Sequence, residues 1–163
     1  MRPLPSVTLV PFTEELLPVV QVWFGHAEVQ RWLGGPDWPA HGLRTQGQGI
    51  GEIFRGRRVL RVHTWVALDA GREVVALVGG DVYSPGPEFG FAYVVDPARW
   101  RQGYGTAALR AVVAHPALAD VVLFSAGIEP ENEASARCAA AAGFWPDDPR
   151  PDFEGIVHHV LRR

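Results

Sequence analysis

Apolar residues in the N-terminal third of the chain are spaced first as in a strand and then as in a helix. Apolar and polar residues alternate over positions 7–11, which predicts a strand. Thr13 and the two glutamates behind it have the composition of a helix N-terminus. Helical spacing continues to a second, short helix through residues 29–33, and glycine and proline break it at 34–39. The glycine-rich residues 42–54 predict a poorly formed helix or a loop.

Three strands joined by tight turns are predicted in the middle of the chain. Over residues 59–68 one set of alternate positions is almost wholly apolar, which predicts a strand buried on one face. Turn-forming residues separate it from apolar runs at 74–84 and 88–95. The sequence therefore predicts three antiparallel strands linked as hairpins.

The C-terminal third alternates helices with strands. The predicted order is a helix at 103–114, a strand at 121–128, a helix at 132–142 and a last strand at 156–161. An antiparallel meander that leads into a β-α-β crossover indicates an α/β (α+β) fold with a mixed sheet. The length of 163 residues predicts a single domain, 1–163.

Composition and charge exclude several classes of function. Apolar residues make up 47% of the chain and charged residues 20%, as in ordinary globular proteins. The net charge of -3 gives no general attraction to nucleic acid or to an anionic membrane surface. No apolar run approaches the roughly 20 residues that a membrane helix needs. We therefore expect neither a nucleic-acid nor a membrane partner.

The single cysteine bears on the cellular compartment, and the absence of lysine bears on the type of genome. Cys138 is the single cysteine, so an internal disulfide is impossible, and we expect a cytoplasmic protein. All 15 basic side chains counted as lysine or arginine are arginine, which fits codon usage in a GC-rich bacterial genome. His158 and His159 are adjacent on a predicted strand and point to opposite faces, so they cannot chelate one metal. No metal site is predicted.

The segment 91–106 predicts an anion-binding site. A strand is followed by a proline-containing turn, and Gly103 and Gly105 stand at the start of a helix. Glycine lets a ligand approach the backbone, and the first turn of a helix offers unpaired N–H groups to phosphate oxygens. The alternative is a tight turn without a ligand. The segment also fits G-x-G-x-x-A, a dinucleotide fingerprint, but here seven residues separate strand from glycine and three antiparallel strands precede it.

The same segment resembles the coenzyme-A-binding motif of the GNAT N-acetyltransferases, V-x-D/x-P-x-x-Q/R-x-x-G-x-G/A. At six positions of this motif the chain has Val95, Asp96, Pro97, Trp100, Gly103 and Gly105. Trp100 replaces the usual glutamine or arginine, as it often does in the subgroup similar to ribosomal-protein N-terminal acetyltransferases. The resemblance implies acetyl-CoA as co-substrate, with residues 93–95 pairing with its pantetheine arm and residues 101–106 holding its pyrophosphate. The implied cofactor-binding residues are Tyr93, Val94, Val95, Arg101, Gln102, Gly103, Tyr104, Gly105, Thr106 and Asn132.

A second motif supports this resemblance. The helix that begins at Asn132 and ends in Gly143-Phe144 resembles the family's N-x-x-A/S helix that ends in G-F. The alternative is that these residues serve only as helix caps. The segment 6–35 and residues 136–138 are more weakly similar to aminoglycoside 6'-N-acetyltransferases. We therefore expect a small amine, such as an aminoglycoside or polyamine-like amine, or a protein N-terminus, as acceptor.

The usual catalytic side chains of the family are absent from this sequence. The position of the family's tyrosine acid is Ala139, and that of a frequent glutamate base is Gly127. Because the ribosomal-protein-like subgroup uses the serine of N-x-x-S, Ser135 is the candidate proton donor, although such a serine also bonds to backbone. Glu88 is the candidate base.

Other polar and aromatic residues are weaker candidates for the acceptor site. Asp81 and Tyr83 lie beside Glu88, and His63 is a candidate wall of the acceptor site. Trp32 and Trp38 flank the segment that covers acceptors in this family. Two other functions stay open at this point, a non-catalytic acyl-CoA-binding module and a nicotinamide-dinucleotide binder. The sequence leaves monomer and homodimer equally possible.

Overall fold

An eight-stranded mixed sheet runs through the molecule, with helices on both faces. The computed structural model describes residues 2–163. The strands are β1 (Thr8–Pro11), β2 (Ile53–Phe54), β3 (Arg57–Leu68), β4 (Val74–Ser84), β5 (Glu88–Val95), β6 (Leu123–Ile128), β7 (Trp145–Pro146) and β8 (Val157–Arg162). The helices are α1 (Leu17–Trp23), α2 (Ala27–Leu33), α3 (Asp37–Thr45), α4 (Tyr104–Val113) and α5 (Glu133–Ala141).

The strand order confirms the predicted mixed sheet. It runs β1-β3-β4-β5-β6-β8-β7, with β2 paired to the edge of β3. Every neighbouring pair is antiparallel except β5 and β6, which are parallel and joined through α4. Both β4 and β5 have the bounds that alternation and turn residues predict. No helix among residues 2–163 is long and apolar enough to cross a membrane.

The sheet has a hydrophobic core on each face. On one face α4 and α5 pack on residues such as Trp65 and Phe89, and on the other α1–α3 pack on residues such as Val66 and Leu77. Residues 65–68 of β3 are consequently all buried, so the prediction of a strand buried on one face is wrong for this half of β3. Helices that cover both faces remove the solvated side that alternation implied.

The third helix was not predicted where it lies. It begins at Asp37, inside the segment that glycine and proline were expected to break, and Pro39 stands in its first turn, where a missing N–H costs little. The Trp38 ring stacks on Phe24 of the α1 end at 5.5 Å between centroids. Tertiary packing therefore stabilises a helix that local propensity disfavours.

Asp152 fixes the loop that leads into β8, and this arrangement predicts acid sensitivity. Its Oδ1 accepts from the backbone N–H groups of Glu154 and Ile156 at 2.8 and 3.0 Å, and its Oδ2 lies 2.7 Å from His158 Nε2. The hydrogen bond with His158, more than any other contact, lowers the pKa of Asp152 to about 2. Because the folded-state pKa is depressed, the stabilisation is complete above about pH 4 and is lost as the pH falls towards 2.

We therefore expect the melting temperature of the wild-type protein to fall more steeply between pH 4 and pH 2 than that of Asp152→Asn. Calorimetric melts across this range measure the difference. Asp147→Asn, which removes an exposed carboxylate paired with Arg162, is the control and should keep the wild-type slope. Equal slopes for the wild-type protein and Asp152→Asn would contradict the expectation.

Candidate active site

A gap opens between the two parallel strands in the middle of the sheet. Pairing between β5 and β6 ends at Phe91 and Ala126. Beyond this point β6 stays paired with β8 while β5 stays paired with β4. The edge of Ala92–Val95 that faces β6 is therefore left without a strand partner, and its backbone groups are available to a ligand.

A cavity of about 780 Å³ fills this gap. Its walls come from the second half of β5, the turn into α4, the end of β6, the start of α5 and one side of α2. Of the ten cofactor-binding residues predicted, nine line it: Tyr93, Val94, Val95, Arg101, Gly103, Tyr104, Gly105, Thr106 and Asn132. The structure thus brings together residues from three separate segments of the sequence.

The turn into α4 has the backbone conformation of an anion-binding loop. Gly103 caps the helix in the left-handed region at φ 88°, and Arg101 has φ 63°. Successive N–H groups in such a turn point toward one side, where the helix dipole is also positive. Arg99 is held by Asp69 at 2.9 Å, whereas Arg101 is exposed and forms no ion pair within residues 2–163. Arg101 is therefore the cation free to meet a phosphate.

The motif predicts that Gln102 and Thr106 bind the cofactor, but their side chains form hydrogen bonds within the protein. Gln102 lies outside the cavity walls, and its amide donates to the carbonyl of Ala98 at 3.3 Å. The hydroxyl of Thr106 donates to the carbonyl of Cys138 at 3.3 Å, toward α5. A Cβ on Gly105 would lie 2.6 Å from Cys138 Sγ, so this glycine also permits close packing of α4 on α5. The side chains of Gln102 and Thr106 are therefore engaged within the protein.

The start of α5 places two hydroxyl groups against each other. Asn132 caps the helix, its Oδ1 accepting from the backbone N–H of Ser135 at 3.2 Å. The Oγ of Ser135 lies 2.6 Å from the Tyr93 hydroxyl, which also lies 3.1 Å from the Ser135 carbonyl. Burial raises the pKa of Tyr93 well above its usual range, so Tyr93 stays protonated and donates. Both residues line the cavity.

Glu88 lies away from this cavity. It is at the opposite end of β5 from Val95, and its nearly buried carboxylate forms an ion pair with Arg57. A carboxylate that is neutralised in this way, with no wall in common with the cavity, is poorly placed to take a proton there. The structure does not bring Glu88 and Ser135 together.

Two contributors to the cavity were not predicted from the sequence. One side of α2 supplies Glu28, Arg31 and Trp32. The indole of Trp100 donates to the carbonyl of Val95 at 3.0 Å and so closes the far end of the open edge. The sequence predicts a helix at 29–33 but not that it lines this cavity, because the approach of α2 to β5 depends on how helices pack on the sheet.

A second cavity of about 450 Å³ lies between α3 and the sheet. Asp81 of β4 lines it, and the hydroxyl of Tyr83 donates to Asp81 Oδ2 at 3.1 Å. It borders the first cavity where Gly79, in its wall, pairs across the strands with Ala92, in the wall of the other. The walls of the two cavities are therefore adjacent in the middle of the sheet.

His63, a candidate wall of the acceptor site, does not line this second cavity and packs with Arg61 and Trp65 of its own strand. Its Nε2 accepts from Arg61 at 3.2 Å, and its ring stacks on Trp65 at 4.8 Å between centroids. Burial, with the charge of Arg61, lowers the pKa of His63. It is a structural histidine.

Within residues 2–163 no group of three or more histidine, cysteine, aspartate or glutamate side chains is arranged to hold a metal ion.

Comparison with known families matches residues 6–145 to the acetyltransferase (GNAT) domain. The chain belongs to the GNAT family of acetyltransferases. Family membership shows an acyltransferase fold and confirms the resemblance drawn from the two motifs.

This GNAT acetyltransferase is similar to one curated protein in sequence and to several solved structures in fold. An uncharacterized N-acetyltransferase of Bacillus subtilis (strain 168), YfmK, is 25% identical over 153 residues, covering 91% of this chain and 92% of YfmK. Among solved structures, aminoglycoside acetyltransferase AAC(6')-Ib with coenzyme A and kanamycin has a TM-score of 0.77 at 19% identity, over 97% of this chain and 95% of that one. Spermidine N-acetyltransferase from Vibrio cholerae, with CoA and spermine, has a TM-score of 0.75 at 10% identity, over 96% and 95%.

The GNAT positions that lack their usual side chains are tightly packed here. Ala139 is fully buried in the core between α5 and the sheet. At Gly127 a Cβ would lie 2.8 Å from Ile156 Cγ2, so a glutamate there would require Ile156 to move. The acid and base of this GNAT acetyltransferase must therefore come from other positions.

Proposed function

We propose that this protein transfers the acetyl group of acetyl-CoA directly to a primary amine, with the larger cavity as the coenzyme site. The observation that carries the proposal is the unpaired edge of Ala92–Val95 ending beside the left-handed turn into α4. An extended pantetheine arm can pair with such an edge as an added strand, and a pyrophosphate fits the N–H groups of the turn. The cavity of about 780 Å³ is within the size range of cofactor sites.

The coenzyme would be held mainly by backbone groups. Tyr93 and Val95 would offer backbone groups to the amides of the arm, because the register with β4 directs those of Val94 the other way. Residues 101–106 would offer N–H groups to the pyrophosphate. Arg101, exposed and without an ion-pair partner among the described residues, would add the positive charge. The amide nitrogen of Asn132 would face the ligand, because its oxygen already caps α5.

Acetyl-CoA supplies a thioester whose carbonyl carbon the neutral amine attacks. An N–C bond forms, the C–S bond breaks, the nitrogen loses one proton and the sulfur gains one. The backbone N–H of Val95, which the register with β4 leaves on the open edge, would stabilise the oxygen as it gains charge. Ser135 is the proton donor for the sulfur, supported by its position in the cavity wall and by the Tyr93 hydroxyl at 2.6 Å.

The base role of Glu88 is not part of this proposal, since the structure pairs Glu88 with Arg57 outside the cavity. Positioning provides much of the rate enhancement, because holding the amine against the thioester makes a bimolecular reaction effectively unimolecular. The amine attacks in its neutral form, which is in equilibrium with the ammonium form. The proton that its nitrogen then loses needs a nearby acceptor. Asp81 is the acidic side chain in the wall of the adjoining cavity.

Calorimetric binding combined with a coenzyme A thiol-release assay tests the proposal. We expect acetyl-CoA to bind at one site per chain, NAD to give no binding heat, and thiol release to require an added primary amine. Binding without release across a broad amine panel would favour a non-catalytic acyl-CoA-binding module. Binding of NAD in place of acetyl-CoA would favour a dinucleotide site.

A further inference from the structure

We propose that the smaller cavity binds the acetyl acceptor, and that this acceptor is a small molecule with one cationic amine on an apolar body, held by Asp81. This inference rests on the proposed function for the transfer step alone. Its binding step can be measured separately. Three features support it: the single carboxylate in the wall, the mainly apolar lining, and the adjacency of this wall to that of the coenzyme cavity.

Asp81 is the only acidic side chain in the walls of this cavity within the described residues. Tyr83 donates to one of its oxygens and Asp81 forms no ion pair within residues 2–163, which leaves the other oxygen for a ligand. Burial, helped by the charge of Asp81, raises the pKa of Tyr83 to about 12, so this hydroxyl donates throughout the physiological range. An ammonium group is the natural partner for a half-buried carboxylate whose orientation is already fixed.

The rest of the wall is mainly apolar. Its apolar side chains come from α3, β3, β4 and the segment before α1, and they include Phe12, Trp38, Pro39, Leu43, Val62 and Leu77. The uncharged or weakly basic polar side chains in the wall are His41, Thr45, Gln46, Gln48 and Thr64. Because α3 lies over the sheet, the cavity is covered on that side, and its volume of about 450 Å³ is typical of small-molecule sites. Such walls favour a compact aliphatic or aromatic body over an extended peptide.

The geometry of the border gives the acceptor nitrogen a route to the thioester. Cross-strand pairing places Gly79 opposite Ala92 and Asp81 opposite Gly90, and paired residues share one face of the sheet. Asp81 is thus diagonal to Ala92, about 7–8 Å away. Between Asp81 and the open edge of β5 the strands carry only small residues, since Gly79 and Gly90 have no side chain and Ala92 has a methyl group, while the Tyr83 ring lies beside Gly90.

Polycationic acceptors fit this cavity poorly. Each ammonium group taken out of water needs a carboxylate or a hydrogen-bonding partner. A polyamine or an aminoglycoside carries several such groups, and the wall offers one carboxylate. We therefore expect this chain to differ in specificity from the neighbours whose names refer to aminoglycosides and spermidine.

Competing acceptors in the thiol-release assay test this specificity. We expect 2-phenylethylamine to have a kcat/KM at least tenfold above those of spermidine, kanamycin and a seryl peptide. In Asp81→Asn the KM for 2-phenylethylamine should rise about tenfold, since a charge-assisted hydrogen bond is lost. The affinity for acetyl-CoA should not change. Asp148→Asn, an exposed carboxylate paired with Arg150, is the matched control and should behave as wild type.

Trp38→Ala tests the apolar part independently, because it should raise the KM for 2-phenylethylamine more than the KM for methylamine. Higher kcat/KM for a polyamine, an aminoglycoside or a peptide than for 2-phenylethylamine would overturn the inference and leave the proposed function standing. If no amine is turned over, calorimetry of 2-phenylethylamine with the protein–coenzyme A complex decides. Binding that Asp81→Asn weakens would uphold the inference while the proposed function fails, and absence of binding would overturn both.

Discussion

Gly105→Ala is expected to lower the melting temperature by about 2–12 °C. The added Cβ would lie 2.6 Å from Cys138 Sγ and 3.3 Å from Val95 Cγ2, closer than packed atoms allow. Forcing an extra carbon into a packed site costs about 1–3 kcal/mol, and each kcal/mol shifts the melting temperature of a chain of this size by about 2–4 °C. Because Cys138 lies one turn after Ser135, the same strain would displace the start of α5, and acetyl-CoA binding should weaken with stability.

A second substitution identifies the cause of this loss. Cys138→Ala removes Sγ and leaves the Cys138 Cβ 4.0 Å from the new methyl group. The double variant should therefore be more stable than Gly105→Ala alone, although contact with Val95 keeps it below wild type. Gly35→Ala, where a Cβ would meet nothing within 4 Å, is the control and should leave the melting temperature nearly unchanged. Additive losses in the double variant would show that Sγ is not the obstacle.

Gly105 also shows what a sequence motif can and cannot predict. The glycine pattern correctly predicts a turn at the mouth of a helix, because Gly103 adopts φ 88°, which disfavours side chains. It predicts a ligand-facing role for Gly105 as well, yet the strongest constraint on that residue is Cys138, 33 positions later in the sequence. Packing between two helices leaves no local pattern.

The strands were predictable to the extent that local forces define them. Alternation and turn residues place β4 and β5 at their observed bounds. They misjudge β3, because solvent exposure of a strand face depends on whether distant helices cover it. The helix α3 was missed for the same reason: its Trp38 packs on Phe24, a contact that composition cannot reveal.

In the candidate site, the place of a residue in the motif does not determine where its side chain points. Gln102 lies inside the matched motif but points away to Ala98, and Glu88 lies on the correct strand but pairs with Arg57. The Tyr93 and Ser135 hydroxyls, 42 positions apart, meet at 2.6 Å because α5 packs beside the end of β5. The sequence singles out both residues but cannot indicate that they touch.

This contact leads to the second prediction, that Ser135→Ala lowers kcat about a hundredfold without weakening acetyl-CoA binding. Loss of a proton donor to a leaving group typically costs 10²–10⁴ in rate, and the lower end applies since an alkyl thiol with a pKa near ~8.5 leaves readily. Steady-state kinetics and calorimetry separate kcat from affinity. Ser135→Thr keeps the hydroxyl and should restore most of the activity, and Ser6→Ala, an exposed serine outside the cavity, is the control.

The Tyr93→Phe variant tests whether the Tyr93 hydroxyl orients Ser135 for proton donation or only supports the fold. Because the buried Tyr93 hydroxyl stays protonated, it can donate either to the Ser135 carbonyl at 3.1 Å or to Ser135 Oγ at 2.6 Å. Only the second arrangement leaves the serine proton directed at the sulfur. Tyr93→Phe should therefore lower kcat, and the double variant with Ser135→Ala should be no slower than Ser135→Ala alone, because both substitutions remove one relay. If the two losses multiplied, the hydroxyls would act separately, and Ser135 would not depend on Tyr93 for its orientation.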